Sequence, residues 1–207
     1  METLTAPTAP PAVWSVEQED VLFRAARSVQ AWSDAPVPDD VVAGVYDLVR
    51  WGPTAMNTSP LRILLLRSPE SRARLAAHLG EGNRARALAA PLTIVVAADT
   101  RWHEQMPTLA PHLPDPVATF EPAAEMRERT AFDNAWLQAG YLVVGLRNAG
   151  LAVGPMGGMD KAAADADLFA DSSWRTVMVL NVGWPAEDDG AHPRAPRLDW
   201  ETVARTL

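Results

Sequence analysis

Two short stretches near opposite ends of the chain carry the residue types that hold a phosphate. In "ARSVQAW", residues 26–32, Arg27 and Ser28 offer a guanidinium beside a hydroxyl. In "HPRAPR", residues 192–197, Arg194 and Arg197 offer two more guanidinium groups. Planar forks of N–H donors suit phosphate and carboxylate oxygens. Three further stretches suit a heteroaromatic edge instead. "GPTAMNTSP", residues 52–60, supplies hydroxyls and an amide; "GNRAR", residues 82–86, supplies Asn83 and Arg86; "GPMGG", residues 154–158, supplies backbone N–H groups that no side chain screens. Taken singly, each has a plain structural reading: a solvated helix end, a basic surface pair, a turn, a capped helix and a strand-ending turn.

Other chemistries lack their signatures. His78, His103, His112 and His192 show no HExxH-type spacing, so no metal site is expected. His78 reads as solvated on an exposed helix, while His103 and His112, in a proline-rich segment, are open to a substrate contact. There is no GxSxG elbow, no GxxxxGK[ST] loop and no GxGxxG after an early strand. The chain has no cysteine, which removes thiolate ligands, disulfides and a cysteine nucleophile. Asp188 and Asp189 pair in an evident surface turn. A net charge of −8 argues against non-specific nucleic-acid binding, yet leaves room for a small anion held by local arginines.

Elements must bring those stretches together. At 207 residues, with 48% hydrophobic and 21% charged, the chain suits one globular domain. Residues 1–14, rich in Pro, Ala and Thr, read as a loose arm without secretion-signal character, and residues 15–207 as the single domain. With no apolar run near the ~20 residues of a membrane span, neither membrane nor nucleic acid is an expected partner, and a cytoplasmic location is expected.

Residues 15–32 open on a capping box, Ser15 with Gln18, and carry apolar residues at helical spacing. Helices are expected over 38–51, over 68–79 with Ser68 as N-cap and Pro69 first, over 82–90, over 160–169 and over 199–207. A long helix over 122–150 should stop at Gly150, and its stretch from Trp136 to Leu146, apolar nearly all round, should be central. Strands are expected over 61–67, 91–99, 151–156 and 174–184. Residues 101–120, with Pro107, Pro111, Pro114 and Pro116, are too irregular for a core element and have the character of a lid. Helices alternating with strands predict an α/β or α+β fold layered around one sheet.

In this order the stretches resemble the nitroreductase-like flavoprotein family, closest to its malonic semialdehyde reductase (3-hydroxypropionate dehydrogenase) branch. The likeness runs from about residue 24 to the C-terminus and is carried by "ARSVQAW", "WGPTAMNTSPLRILLLR", "GNRARALAAPLTIVVAAD", "TAFDNAWLQAGYLVVGLRNAGLAVGPMGGMD", "LNVGW" and "RAPRLDWE". It implies an α+β fold with a mostly antiparallel central sheet flanked by helices, in an intertwined homodimer that binds FMN at the subunit interface. Arg27, Ser28 and Gln30 would approach the phosphate and the flavin's polar side, with Arg194 and Arg197 completing the clamp. Pro53, Thr54, Ala55 and Asn57 would come from the partner subunit. Asn83 and Arg86 would face the pyrimidine edge, and Pro155, Met156, Gly157 and Gly158 would lie near N5.

The implied activity is ping-pong hydride transfer from NADH or NADPH through flavin N5 to a small carbonyl acid such as malonic semialdehyde. The alternatives are a nitro or quinone reductase, a flavin-dependent dehydrogenase of a specialised pathway, and a non-catalytic flavin-binding protein. The lid would supply substrate contacts from Met106, His112 and Phe120, with Arg101 or Arg129 as candidates to hold a carboxylate. Ala26 and Gln30 stand where many nitroreductases carry basic residues, a departure the branch shares. Ala55–Met56 replaces a usual Ser-Ala pair, and Gly157 stands where many members have a glutamate.

Overall fold

A computed structural model describes residues 14–188 and 190–207; apart from Trp14, the expected N-terminal arm lies outside them, as does Asp189. The elements run α1 Val16–Glu19, α2 Asp39–Val49, β1 Leu61–Leu66, α3 Pro69–Ala76, α4 Glu81–Ala89, β2 Leu92–Asp99, α5 Met106–Leu109, α6 Pro116–Phe120, α7 Ala124–Asn148, β3 Ala152–Met156, α8 Lys161–Leu168, β4 Trp174–Gly183 and α9 Trp200–Val203. The strands form one sheet in the order β1-β2-β4-β3, with every neighbouring pair antiparallel. The fold is therefore α+β.

Strand periodicity explains why the sheet needs cover on both faces. All eight residues of β2 are buried. Ile94, Val96 and Ala98 enter one apolar cluster, with Val42 and Val45 of α2 and Leu142 and Leu146 of α7. Val95 and Ala97 point the other way, into a second cluster with Leu75, Ala87 and Phe169. α7 is the spine of the first layer. Its Gly145 lets α2 approach so closely that an added Cβ would sit 2.5 Å from Val49 Cγ1. Gly150, at φ +82°, ends the helix as expected.

Four expectations change. The helix opening at Ser15 has its capping box but, after one wide turn over Asp20–Arg24, it stops. Residues 25–32 instead run to the sheet edge, where Trp32 bridges to Pro185 and Ser33 N–H donates to Trp184 O at 3.0 Å. Sheet-edge acceptors outcompete further helical bonds there. The second half of α7 is central on one side only: Gln138, Ala139, Leu142 and Leu146 are buried, while Trp136 and Leu137 are 47% and 44% exposed. The proline-rich segment is anchored in the core, because Trp102 and Met106 are fully buried and Trp102 Nε1 donates to Arg127 O at 2.9 Å. His78 is not simply solvated; its Nε2 lies 2.9 Å from Asp167 Oδ2. That contact and the larger effect of Arg74 hold the Asp167 carboxyl down at about 2.

Candidate functional site

Arg27, Ser28, Arg194 and Arg197 converge. Together with Ala26, Arg147, His192, Pro193 and Ala195 they line a cavity of about 240 Å³. The extended path of residues 25–32 carries Arg27 and Ser28 to the start of β3, and the chain after β4 returns Arg194 to the same place, where its Nη2 donates to Ala26 O at 3.1 Å. No carboxylate lines this cavity among the described residues. Arg27 makes no hydrogen bond or ion pair among them either. Four guanidinium groups around one small space repel one another, and an anion would relieve that repulsion.

A second cavity of about 270 Å³ adjoins the first through Ala26, Arg27 and Arg147, and is walled by Val21, Val29, Leu151 and Val153. β3 runs along it and links the cation cluster to the glycine turn, roughly 13 Å further along the strand. β3 is an edge strand, which is where Pro155 can sit without costing the sheet a hydrogen bond.

At the far end of β3, Asn83 and Arg86 join Gly158. Asn83 Nδ2 donates to Gly158 O at 3.1 Å, and Arg86 Nη2 donates to Asn83 Oδ1 at 2.9 Å. Gly80 N–H also donates to Gly158 O, at 3.0 Å. These bonds fix the turn while leaving Gly157 open, with nothing within 4 Å of where a Cβ would stand. A planar ligand could approach that backbone closely. The Met156 side chain is buried in the second cluster, which leaves only its backbone to face a ligand at this turn. Gln30 packs beside Gly190 rather than lining the cation cavity.

The loop bearing Pro53, Thr54, Ala55 and Asn57 lies elsewhere on the same chain. A polar stripe on α7 that sequence reasoning missed holds it. Asn134 Oδ1 accepts from Ala55 N–H at 2.7 Å, Gln138 Oε1 from Leu61 N–H at 2.9 Å, and Tyr141 donates its hydroxyl to Pro53 O at 3.2 Å. Asn57 Nδ2 donates to Leu109 O at 2.7 Å. Met56, Asn57 and Ser59 all have positive φ, 53°, 58° and 40°. Along α7 these tethers stand six to thirteen residues before Arg147, roughly 9–20 Å. None of the four loop residues lines the cation cavity or the cleft beside it.

The other expected contacts separate too. Met106 is fully buried and Phe120 packs on Trp102 with ring centroids 5.2 Å apart, so both support the segment from within. His112 is exposed. Arg101 is engaged by Glu104 and Glu121, and Arg129 faces Asp133. His103 is fully buried, 2.6 Å from Glu121 Oε2 and 2.9 Å from Arg127 Nη1, which ties it to structure rather than to an open cavity. Arg147 was the other residue missed. It occupies the last turn of α7, where a basic residue ordinarily serves the helix dipole.

Comparison with known proteins places the chain and its fold. The sequence profile of the Nitroreductase family matches residues 23–184. The chain is 47% identical over 189 residues to a Streptomyces coelicolor protein provisionally named an NADH dehydrogenase/NAD(P)H nitroreductase, covering 91% of this chain and 95% of the relative. A Leptothrix cholodnii protein of the same provisional name is 42% identical over 186 residues, covering 90% and 94%. Among solved structures, a Bacillus subtilis protein provisionally named a nitroreductase superposes with a TM-score of 0.81 at 18% identity, covering 93% of this chain and all of that one. An Exiguobacterium sibiricum protein of the same kind, solved in complex with FMN, superposes with a TM-score of 0.75 at 19% identity, covering 93% and 98%.

Proposed function

Because the chain belongs to the Nitroreductase family, we propose that it is an FMN-dependent NAD(P)H oxidoreductase whose second substrate is a small carbonyl acid such as malonic semialdehyde. The observation that carries the cofactor reading is the carboxylate-free cavity lined by Arg27, Ser28, Arg147, Arg194 and Arg197. Its donor set fits a phosphate dianion, and β3 leads from it to the open backbone at Gly157.

Bound FMN supplies hydride transfer between NAD(P)H and the second substrate. Arg27, Arg194 and Arg197 hold the phosphate and so set the position of the ring. Asn83 and Arg86 meet the ring's polar edge, where a fixed cation favours negative charge. Gly157 keeps one face free of side chains. The loop at Pro53, Thr54, Ala55 and Asn57 lines neither cavity of its own chain; it would reach the ring from a second copy, with a homodimer as the working unit. A cytoplasmic location belongs to the same reading.

A nitro- or quinone-reducing activity is the second reading, and the names of the relatives favour it. Met56, 47% exposed on the loop, is the residue whose replacement should shift preference between the two substrate classes.

Purified protein should show the visible bands of oxidised flavin, and Arg197→Ala should weaken FMN binding by roughly 10-fold or more while leaving the unfolding midpoint within about 0.5 kcal/mol of the parent. A colourless protein that takes up no added FMN refutes the cofactor reading. Turnover of malonic semialdehyde against nitroaromatic and quinone acceptors then decides the substrate; a parent that reduces only the latter removes the carbonyl-acid proposal.

A further inference from the structure

The geometry points to Arg147 as the fourth phosphate-binding cation of the cofactor site, acting from the C-terminal turn of α7. This inference rests on the FMN reading and extends it to a residue that the arginine-bearing loops do not include.

The side chain lines both adjoining cavities, so it stands at the junction of the polar one with the apolar cleft beside β3. Nη1 donates to Leu22 O at 3.0 Å, which fixes the guanidinium plane. Nε is enclosed by protein and out of reach of the cavity, whereas Nη2 is not enclosed in this way and has no hydrogen bond among the described residues. Burial, and then the nearby charge of Arg194, make the Arg147 cation less favourable than a free guanidinium. No carboxylate lines the cavity among the described residues to offset this. A helix C-terminus favours a cation, but its dipole does not relieve the crowding of like charges. A phosphate in the cavity does: it neutralises the repulsion among Arg27, Arg147, Arg194 and Arg197 and offers the outer guanidinium nitrogens an acceptor.

A purely structural role is the competing account, since the Leu22 bond ties α7 to the wide turn over Asp20–Arg24. The two roles separate by comparing FMN with riboflavin, which lacks the phosphate. Binding of each is measured by flavin fluorescence quenching on protein stripped of cofactor. For Arg147→Gln, FMN affinity should fall at least 10-fold while riboflavin affinity changes less than 2-fold. Arg147→Lys keeps the charge but not the guanidinium fork, and should fall between parent and Gln for FMN only; it carries the same comparison should the Gln variant not fold. Equal FMN affinity in parent and variants overturns the inference while leaving the cofactor reading intact. Equal losses for FMN and riboflavin also overturn it, in favour of the structural role. A parent that binds neither flavin removes the cofactor reading and this inference together.

Discussion

The loop at residues 53–61 is tethered to α7, and Asn134→Ala should loosen it. Met56, Asn57 and Ser59 have left-handed backbones, each costing roughly 1–2 kcal/mol for a side chain with a Cβ. Against them stand the tethers of Ala55 N–H to Asn134, Leu61 N–H to Gln138, Asn57 Nδ2 to Leu109 and Tyr141 to Pro53, each worth about 1 kcal/mol net. Bonds within the loop add to these tethers, Ser59 N–H to Thr54 Oγ1 among them, so losing one tether should loosen the loop without unfolding it. Asn134→Ala removes the 2.7 Å bond to Ala55 and also the anchor of its own carboxamide, whose Nδ2 donates to Thr130 O at 2.9 Å. The loss is about 1–2 kcal/mol, a roughly 5- to 30-fold rise in the open population. Alanine is the better helix former, so α7 itself should hold and the global unfolding midpoint should scarcely move. Native-state hydrogen exchange read by mass spectrometry on the peptide spanning 52–60 measures the effect. Exchange there should quicken 5- to 30-fold while the β2 and β4 peptides stay unchanged. Unaltered exchange over 52–60, or an equal rise across the sheet, would refute the argument that α7's polar stripe holds the loop.

Two further perturbations follow from the same packing. The Glu121 carboxyl is held from 4.5 down to about 2, first by its contact with His103 and then by Arg101. A folded value below the unfolded one means this support is complete above about pH 4.5 and disappears as the pH falls toward 2. Glu121→Gln should therefore lower the urea midpoint at about pH 6 but differ little from the parent near pH 2; a gap that persists or widens in acid contradicts the assignment. Gly145→Ala places a Cβ 2.5 Å from Val49 Cγ1 and 3.0 Å from Val45 Cγ1, and should cost about 1–3 kcal/mol in denaturant unfolding. A neutral result there would show that α2 and α7 can separate freely.

The elements were readable where one local rule sufficed. Ser15 with Gln18, Ser68 before Pro69, and Gly150 after α7 are caps whose chemistry lies within a few residues, and each stands where the pattern puts it. Trp136 and Leu137 show the limit. Their apolar character marks α7 as central, yet this stretch of the helix stays largely exposed, with Lys161 Nζ 5.6 Å from the centre of the Trp136 ring. Trp102 and Met106 show the converse: prolines hide the core role of a segment that has little regular structure but two buried anchors.

The site divides the same way. Arg27 with Ser28, Arg194 with Arg197, and Asn83 with Arg86 were legible as donor types suited to a phosphate and a heteroaromatic edge, because donor chemistry is a property of the residue. Arg147, Asn134, Gln138 and Tyr141 were not. A basic residue in a last helical turn, or amides on a helix, have ordinary local explanations, and their roles come from partners up to 125 residues away. The sequence by itself determined the family, the cap positions and the inventory of anion-binding groups. Only the tertiary structure decided that four arginines from three segments share one cavity without a carboxylate among the described residues, and that the 53–57 loop is held on the middle of α7 by Asn134 and Tyr141. The physical reason is that charge repulsion, orphaned donors and loop anchoring depend on distances through space, which residue order alone does not specify.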